Sequence, residues 1–160
     1  MKEIHIDTKA LVYEDINELI DADKNLIQIA TKVAHTAYAP YSGFSVGAAL
    51  LMEDDTIVTG SNQENAVYPS GMCAERVAIW KAGSSFPGKK VKKIAISAVS
   101  SHKIVDRPVG PCGSCRQTLL EYESNQLKDI EILFTGAVGK VVKMNSLRSL
   151  LLFSFDNSFL

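Results

Sequence analysis

The chain has little that would mark a nucleic-acid-binding, membrane-spanning or secreted protein. Its 17 Lys and Arg residues are balanced by 18 Asp and Glu residues, so the net charge is −1 and there is no basic excess for phosphate contacts. The longest apolar stretch, LRSLLLFSF, is far shorter than the ~20 residues of a membrane span. The first residues, MKEIHIDTKALVYEDI, contain acids and no apolar signal-peptide core. We therefore expect a cytoplasmic protein with no nucleic-acid or membrane partner.

Cysteine is also scarce, and its three occurrences fall into two short motifs. The odd count means that at least one thiol cannot pair within the chain. In a reducing compartment, cysteines at motif spacing are more often metal ligands or catalytic groups than disulfides. The cysteines are therefore the first candidates for chemistry.

The length and the hydrophobic pattern predict one α/β domain. At 160 residues the chain fits a single domain over 1–160, with an N-terminal extension over 1–20 and a C-terminal tail over 150–160. Helical and alternating apolar patterns succeed one another as helix, hairpin, helix, strand, helix, two strands and a short helix. That order predicts a three-layer α/β/α sandwich around a mixed sheet of about five strands.

The helix boundaries can be predicted from capping residues. The first helix has apolar residues at helical spacing after residue 25, with Asp21 or Asp23 as the expected N-cap and Pro40 as the stop. The second helix, CAERVAIWKAG, is expected to end at Gly83.

The cysteine spacing predicts a zinc site. Cys112 and Cys115, in GPCGSC, begin one predicted helix, and Cys73, in GMCAER, begins another. Two thiolates from a C-x-x-C pair and a third from a second helix start can form three corners of a tetrahedron, and zinc accepts thiolates in this geometry with a fourth position open for water. The positive ends of two helices would stabilise the thiolates.

Two neighbours of Cys73 have both an ordinary and a functional interpretation. Glu75 can be a first-turn glutamate favoured by the helix dipole, or a carboxylate that carries protons beside a metal-bound water. Arg76 can be a solvated helix residue, or it can hydrogen-bond the thiolates and offset their negative charge. With the P-C-x-x-C motif present, we favour the functional interpretation of both.

Three long stretches resemble one known family. They are YAPYSGFSVGAAL, NQENAVYPSGMCAERVAI and GPCGSCRQTLLEY, and they contain the C-x-E and P-C-x-x-C elements of zinc deaminases that act on nucleobases. The chain is similar to the small, homotetrameric, three-cysteine cytidine deaminases, from about residue 34 to the C-terminus. The resemblance implies one Zn²⁺ per chain, a nucleoside substrate, and active sites shared between the subunits of a homotetramer. The implied reaction is hydrolysis of cytidine and deoxycytidine to uridine and deoxyuridine with release of ammonia, as a step of pyrimidine salvage.

The resemblance also implies substrate contacts. Glu75 would be the catalytic acid and base, and the N–H of Ala74 would bind the pyrimidine carbonyl. Phe44 would pack against the pyrimidine ring, and Asn62 and Glu64 would bind the ribose.

Further contacts are implied between subunits. Ala66 and Tyr68 match positions that reach a neighbouring subunit's site, and Phe155 matches an aromatic lid. The family tail usually has a proline where this chain has Leu152, so Phe153 is an alternative lid residue.

Other functions compete with this interpretation. A related zinc deaminase of another aminopyrimidine nucleoside, such as a nucleoside antibiotic, would keep the metal site and change the substrate. A deaminase of polynucleotides would need a basic and aromatic track that the chain lacks. A structural zinc module would need a fourth protein ligand, and no histidine has ligand spacing to the cysteines.

Overall fold

The protein has a six-stranded mixed sheet with helices on both faces. The computed structural model describes all residues from 1 to 160. In chain order the strands and α-helices are β1 Leu11–Tyr13, α1 Asp21–Ala34, β2 Phe44–Met52, β3 Ile57–Ser61, α2 Ala74–Ser85, β4 Val91–Ser100, α3 Gly113–Gln126, β5 Glu131–Thr135 and β6 Val141–Met144. The strands lie in the order β1-β6-β5-β4-β2-β3, and β4 and β5 are the parallel pair. The predicted three-layer architecture is confirmed, with six strands rather than about five because β1 pairs with β6.

The two faces of the sheet carry separate hydrophobic cores. Neighbouring residues on one strand point to opposite faces, so Ala48 and Leu50 pack under α2 and α3, whereas Ala49 packs under α1. The same alternation holds in β4, where Ile94 and Ala95 belong to different cores. This alternation explains why the apolar strands are buried on both sides.

The topology brings the starts of α2 and α3 to one edge of the sheet. Both β3 and β4 are antiparallel to β2, so these two strands run in the same direction. Because α2 follows β3 and α3 follows β4, both helices begin where parallel strands end. The crevice outside the carboxyl ends of such strands is the usual ligand site of open α/β sheets.

A glycine lets α2 lie close to β3. A Cβ at Gly60 would lie 2.5 Å from the backbone N of Ala78 and 2.7 Å from the carbonyl O of Ala74. Any other residue would force the helix away from the strand. Gly60 therefore helps to place the first turn of α2, which carries the predicted site residues.

Three predicted helix boundaries are wrong. The N-cap of α1 is Ile20, and Asp23 is buried, where it binds Lys93 and Lys143 at 2.5 and 2.7 Å. Helix α2 continues past Gly83 to Ser85. Helix α1 also ends at Ala34, well before Pro40.

No helix in the chain is both long and apolar enough to cross a membrane.

Candidate active site

The structure brings the three cysteine sulfurs together at the starts of α2 and α3. Cys73 and Cys112 are the N-cap residues of these helices, and Cys115 lies in the first turn of α3. The Sγ atom of Cys112 lies 3.9 Å from that of Cys73 and 3.5 Å from that of Cys115, and all three lie within 4.8 Å of one another. Zinc–sulfur bonds of ~2.3 Å in a tetrahedron put sulfurs about 3.8 Å apart. The donor set and its spacing therefore fit zinc.

The surroundings favour negative charge on the sulfur of Cys73 and keep the proton on that of Cys115. A hydrogen bond from the Cys115 thiol, aided by Arg76, lowers the pKa of Cys73 to about 5. The same hydrogen bond and burial raise the pKa of Cys115. Arg76 lies with Nη2 3.6 Å from the Sγ of Cys73, and its Nε is buried without a partner. The guanidinium is therefore placed to offset thiolate charge, and it also stacks 5.8 Å from the ring of Trp80.

Glu75 is a buried carboxylate beside the sulfurs. Its exposed fraction is 5%, and burial raises the pKa of its carboxyl above the ordinary value. A carboxyl whose pKa is raised in this way is a better proton donor and acceptor for acid–base catalysis than an ordinary glutamate. The position of Glu75 therefore supports the functional interpretation over that of a surface glutamate.

A cavity of about 670 Å³ opens onto this cluster. Cavities of roughly 300–1,000 Å³ are typical of small-molecule sites. Predicted site residues that line it are Phe44, Asn62, Glu64, Tyr68, Cys73, Ala74, Glu75, Arg76 and Cys112. Cys115 is fully buried behind them. Aromatic, amide and carboxylate groups thus line the same cavity as the sulfurs of Cys73 and Cys112, a combination that suits an amphipathic ligand next to a metal.

Asn62 and Phe44 are joined directly. The Asn62 amide donates to the carbonyl O of Phe44 at 2.9 Å and accepts from the N–H of Val46 at 2.7 Å. The amide is thus held against the start of β2, and its second N–H has no partner within the chain and is available to a ligand.

Glu64 is held by the turn before β2. Its carboxylate accepts from the N–H of Tyr41 at 2.8 Å and from the N–H and hydroxyl of Ser42. The hydrogen bond from the Ser42 hydroxyl is the main cause that lowers the pKa of Glu64. The carboxylate is therefore ionised, and about one of its four acceptor sites is left for a sugar hydroxyl.

The remaining predicted contacts are divided between the cavity and the surface. Tyr68 lines the cavity of its own chain and packs edge-to-face with Tyr41 at 6.0 Å. Ala66 is exposed and is not part of the cavity wall. Phe153 and Phe155 are also exposed and lie outside the wall. They do not close the cavity of their own chain.

The C-terminal tail lies against α3. Gln117 donates to the carbonyl O of Phe155 at 2.8 Å, and the Phe155 ring stacks on Phe159 at 5.5 Å. The buried carboxylate of Glu123 accepts hydrogen bonds from the segment just before the tail, including the N–H of Leu147 at 2.9 Å. The tail is thus fixed at its base and presents aromatic rings to the surface.

Sequence reasoning missed the roles of Tyr41, Ser42 and Gly110 in the cavity wall. Tyr41 and Ser42 lie within the YAPYSGFSVGAAL stretch, but nothing in the spacing shows that their N–H groups turn toward Glu64. Gly110 lies in the loop before Cys112, where the proline- and glycine-rich sequence predicts only a loop.

Comparisons with known proteins agree with this geometry. A family model described as the cytidine and deoxycytidylate deaminase zinc-binding region matches residues 20–128. Cytidine deaminase from Halalkalibacterium halodurans is 48% identical over 96 residues, which are 60% of this chain and 68% of that protein. Cytidine deaminase from Mycobacterium tuberculosis is 41% identical over 108 residues, covering 67% of this chain and 77% of that protein.

A solved structure shows the same fold. The crystal structure of cytidine deaminase from Burkholderia pseudomallei superposes with a TM-score of 0.71 at 36% identity, over 82% of this chain and 97% of that one. The matched region contains all three cysteines and Glu75. The chain therefore belongs to the cytidine and deoxycytidylate deaminase family, whose cofactor is zinc.

Proposed function

We propose that the protein hydrolyses cytidine and deoxycytidine, consuming one water and releasing uridine or deoxyuridine and one ammonia. The observation that carries this proposal is the group of three sulfurs within 4.8 Å of one another, beside the buried Glu75, at a cavity large enough for a nucleoside. The family membership supports the same reaction. No protein group other than the three cysteines joins this cluster of metal donors, which favours a catalytic over a closed structural zinc site.

The zinc would be held by Cys73, Cys112 and Cys115, and when bound it supplies Lewis acidity that makes a water nucleophilic near neutral pH. Glu75 accepts a proton from the attacking water and delivers it to N3 of the cytosine ring. The same carboxyl then takes the remaining proton from the hydroxyl added at C4 and supplies it to the departing amine. The C4–N bond breaks, ammonia leaves and the C4 oxygen becomes the carbonyl of the product. A raised pKa suits both steps, since the group must be a base in one and an acid in the other.

The remaining wall positions the substrate. The first N–H groups of α2, from Ala74 onward, have no acceptor within the helix and can bind the pyrimidine carbonyl. Phe44 packs against the ring, while Asn62 and Glu64 bind ribose hydroxyls. Enclosing the ring excludes bulk water and strengthens these polar interactions.

A homotetramer with shared sites is part of this proposal. The exposed large apolar side chains include two groups close to the predicted intersubunit contacts: Val67, Tyr68 and Trp80 near α2, and Leu152, Phe153, Phe155, Phe159 and Leu160 in the tail. Exposed apolar surface of this kind favours association. A neighbouring chain would receive Phe155, or Phe153, as a lid and would be approached by Ala66 and Tyr68.

The cellular setting is also proposed. All three cysteines are unpaired, which suits the reducing cytoplasm, and nucleoside deamination there would serve pyrimidine salvage. We propose a single domain over residues 1–160, because β1 in the N-terminal extension joins the same sheet as the other strands.

A substrate panel tests the proposed function. Ammonia release is measured with cytidine, deoxycytidine, cytosine and base-modified aminopyrimidine nucleosides. We expect kcat/KM to be highest for cytidine and deoxycytidine, since the cavity wall offers groups for both ring and ribose. Turnover of a modified nucleoside but of neither cytidine nor deoxycytidine would overturn the proposal.

A further inference from the structure

The hydroxyl of Ser42 makes two hydrogen bonds to two different parts of the cavity wall. It donates to Oε1 of Glu64 at 2.5 Å and accepts from the N–H of Phe44 at 3.0 Å. The first partner is the carboxylate proposed to bind ribose, and the second belongs to the residue proposed to pack on the ring. One hydroxyl therefore lies between the two halves of the nucleoside site.

The turn around Ser42 gives this hydroxyl a defined direction. Gly43 has a positive φ of 60°, and a Cβ there would lie 2.3 Å from the Ser101 hydroxyl. The N–H of Gly43 binds the carbonyl O of Ala39, and its carbonyl O accepts from the N–H of Ser101 at 2.9 Å. The backbone is thus held on both sides of the turn, so that the Ser42 hydroxyl bridges Glu64 and Phe44 without distorting the chain.

Phe44 is held from its other side by Asn62. The carbonyl O of Phe44 accepts from the Asn62 amide while its N–H donates to Ser42. Both proposed ribose-binding side chains are therefore connected to the backbone of the ring-packing residue. A shift of Glu64 on binding a sugar hydroxyl would be transmitted through Ser42 to Phe44.

We propose that Ser42 is a positioning residue that couples recognition of the ribose hydroxyls at Glu64 to packing of the pyrimidine ring at Phe44. This proposal rests on the proposed function. The fold itself does not need the hydroxyl. Ser42 is exposed, and Glu64 keeps hydrogen bonds from the N–H groups of Tyr41 and Ser42 when the hydroxyl is absent.

The test compares a substrate that has ribose hydroxyls with one that lacks them. Wild type and Ser42→Ala are assayed with cytidine and with 2′,3′-dideoxycytidine. We expect Ser42→Ala to lower the ratio of kcat/KM for cytidine to that for dideoxycytidine by about tenfold, as for the loss of a hydrogen bond to a charged group. A role confined to the stability of the turn would lower both values equally and leave the ratio unchanged.

A matched pair of variants and a binding measurement keep the result independent of folding. Ser42→Thr retains the hydroxyl and should keep the ratio of the two kcat/KM values within about threefold of wild type. The valine of Ser42→Val has nearly the same shape as that threonine but no hydroxyl, and this variant should behave like Ser42→Ala. Ser101→Ala is the control for the turn. It removes a hydroxyl that donates to the carbonyl O of Gly43 at 3.3 Å, and it should leave the ratio unchanged. Calorimetric affinities for uridine and 2′,3′-dideoxyuridine should show the same tenfold change in preference.

The outcomes separate this proposal from the proposed function. An unchanged ratio in both Ser42→Ala and Ser42→Val, with wild type active on cytidine, would overturn the coupling and leave the deaminase function intact. Equal activity of wild type on cytidine and dideoxycytidine would also overturn the coupling, since Glu64 would then not recognise the ribose hydroxyls. A wild-type protein with no activity on cytidine would instead overturn the function.

Discussion

Replacing Glu75 by glutamine should abolish turnover while leaving the metal site and the fold in place. The amide has nearly the same shape as the carboxyl group, and Glu75 is 5% exposed, so the packing around it changes little. Because burial raises the pKa of Glu75, the ionised group is costly to bury, and a neutral amide should not reduce the free energy of unfolding. The change therefore removes proton transfer and little else.

The magnitude follows from the two proton transfers assigned to this carboxyl. A positioned acid or base contributes roughly 10²–10⁴-fold to a rate, and one side chain here serves both the attack of water and the departure of the amine. We expect kcat to fall about 10⁴-fold, which corresponds to about 5 kcal/mol of activation free energy.

The assay follows the ultraviolet change as cytidine becomes uridine, with zinc content and thermal unfolding measured on the same samples. Glu121→Gln is the matched control, since Glu121 is an exposed glutamate of α3 whose hydrogen bond is to Asn125. It should retain wild-type kcat. A Glu75→Gln protein with full zinc and kcat within tenfold of wild type would refute the proton-transfer role.

Two further predictions concern buried carboxylates away from the cavity. Glu123 accepts four hydrogen bonds, two of them from buried backbone N–H groups. Glu123→Ala should therefore lower the free energy of unfolding, measured by urea titration, by about 4 kcal/mol. The control Glu121→Ala should lower it by less than about 0.5 kcal/mol, and equal losses in the two variants would contradict the role of these bonds. Burial disfavours the charged form of Asp23, but hydrogen bonds from Lys143 and Lys93 outweigh the effect of burial and lower the pKa of the carboxyl. The contribution of Asp23 to stability is therefore complete above pH ~4 and is lost as the pH falls through the lowered pKa. Asp23→Asn should therefore be less stable than wild type at pH 7, with the difference narrowing in unfolding measurements toward pH 2, and a difference independent of pH would contradict this account.

The order of secondary-structure elements could be predicted because it depends on local patterns. The predicted order of a helix, a hairpin, a helix, a strand, a helix and two strands is the order of α1, β2 with β3, α2, β4, α3, and β5 with β6. The sixth strand was not counted, since the pairing of β1 with β6 joins residues more than a hundred positions apart. No local signal shows such a pairing.

The wrong helix boundaries have the same kind of cause. An aspartate near the start of a helix resembles an N-cap, but the lysines that bind Asp23 come from β4 and β6, 70 and 120 residues further along the chain. Gly83 resembles a helix end, but it lies inside α2, where a Cβ would come within 2.7 Å of the Tyr122 hydroxyl of α3. Glycine is there for close packing between helices, which the sequence of one helix does not show.

The site was predictable to the extent that its chemistry lies in short motifs. The spacing of Cys73, Cys112 and Cys115 was enough to predict that the sulfurs meet. The link from Glu64 through Ser42 to Phe44 was not predictable, because it depends on the path of one turn and on the direction of a single hydroxyl. The substrate roles of these residues stay predictions until they are measured.

A zinc titration of the metal-stripped protein tests the central claim most directly. The chain is treated with a chelator, zinc is added back in measured amounts, and the initial rate of cytidine deamination is recorded at each step. The account predicts that the metal-stripped protein is inactive, and that the rate rises linearly with added zinc and levels off at one zinc per chain. Cys112→Ala should gain no activity at one zinc per chain. Full activity without zinc, or no activity on cytidine at any zinc content, would contradict the account.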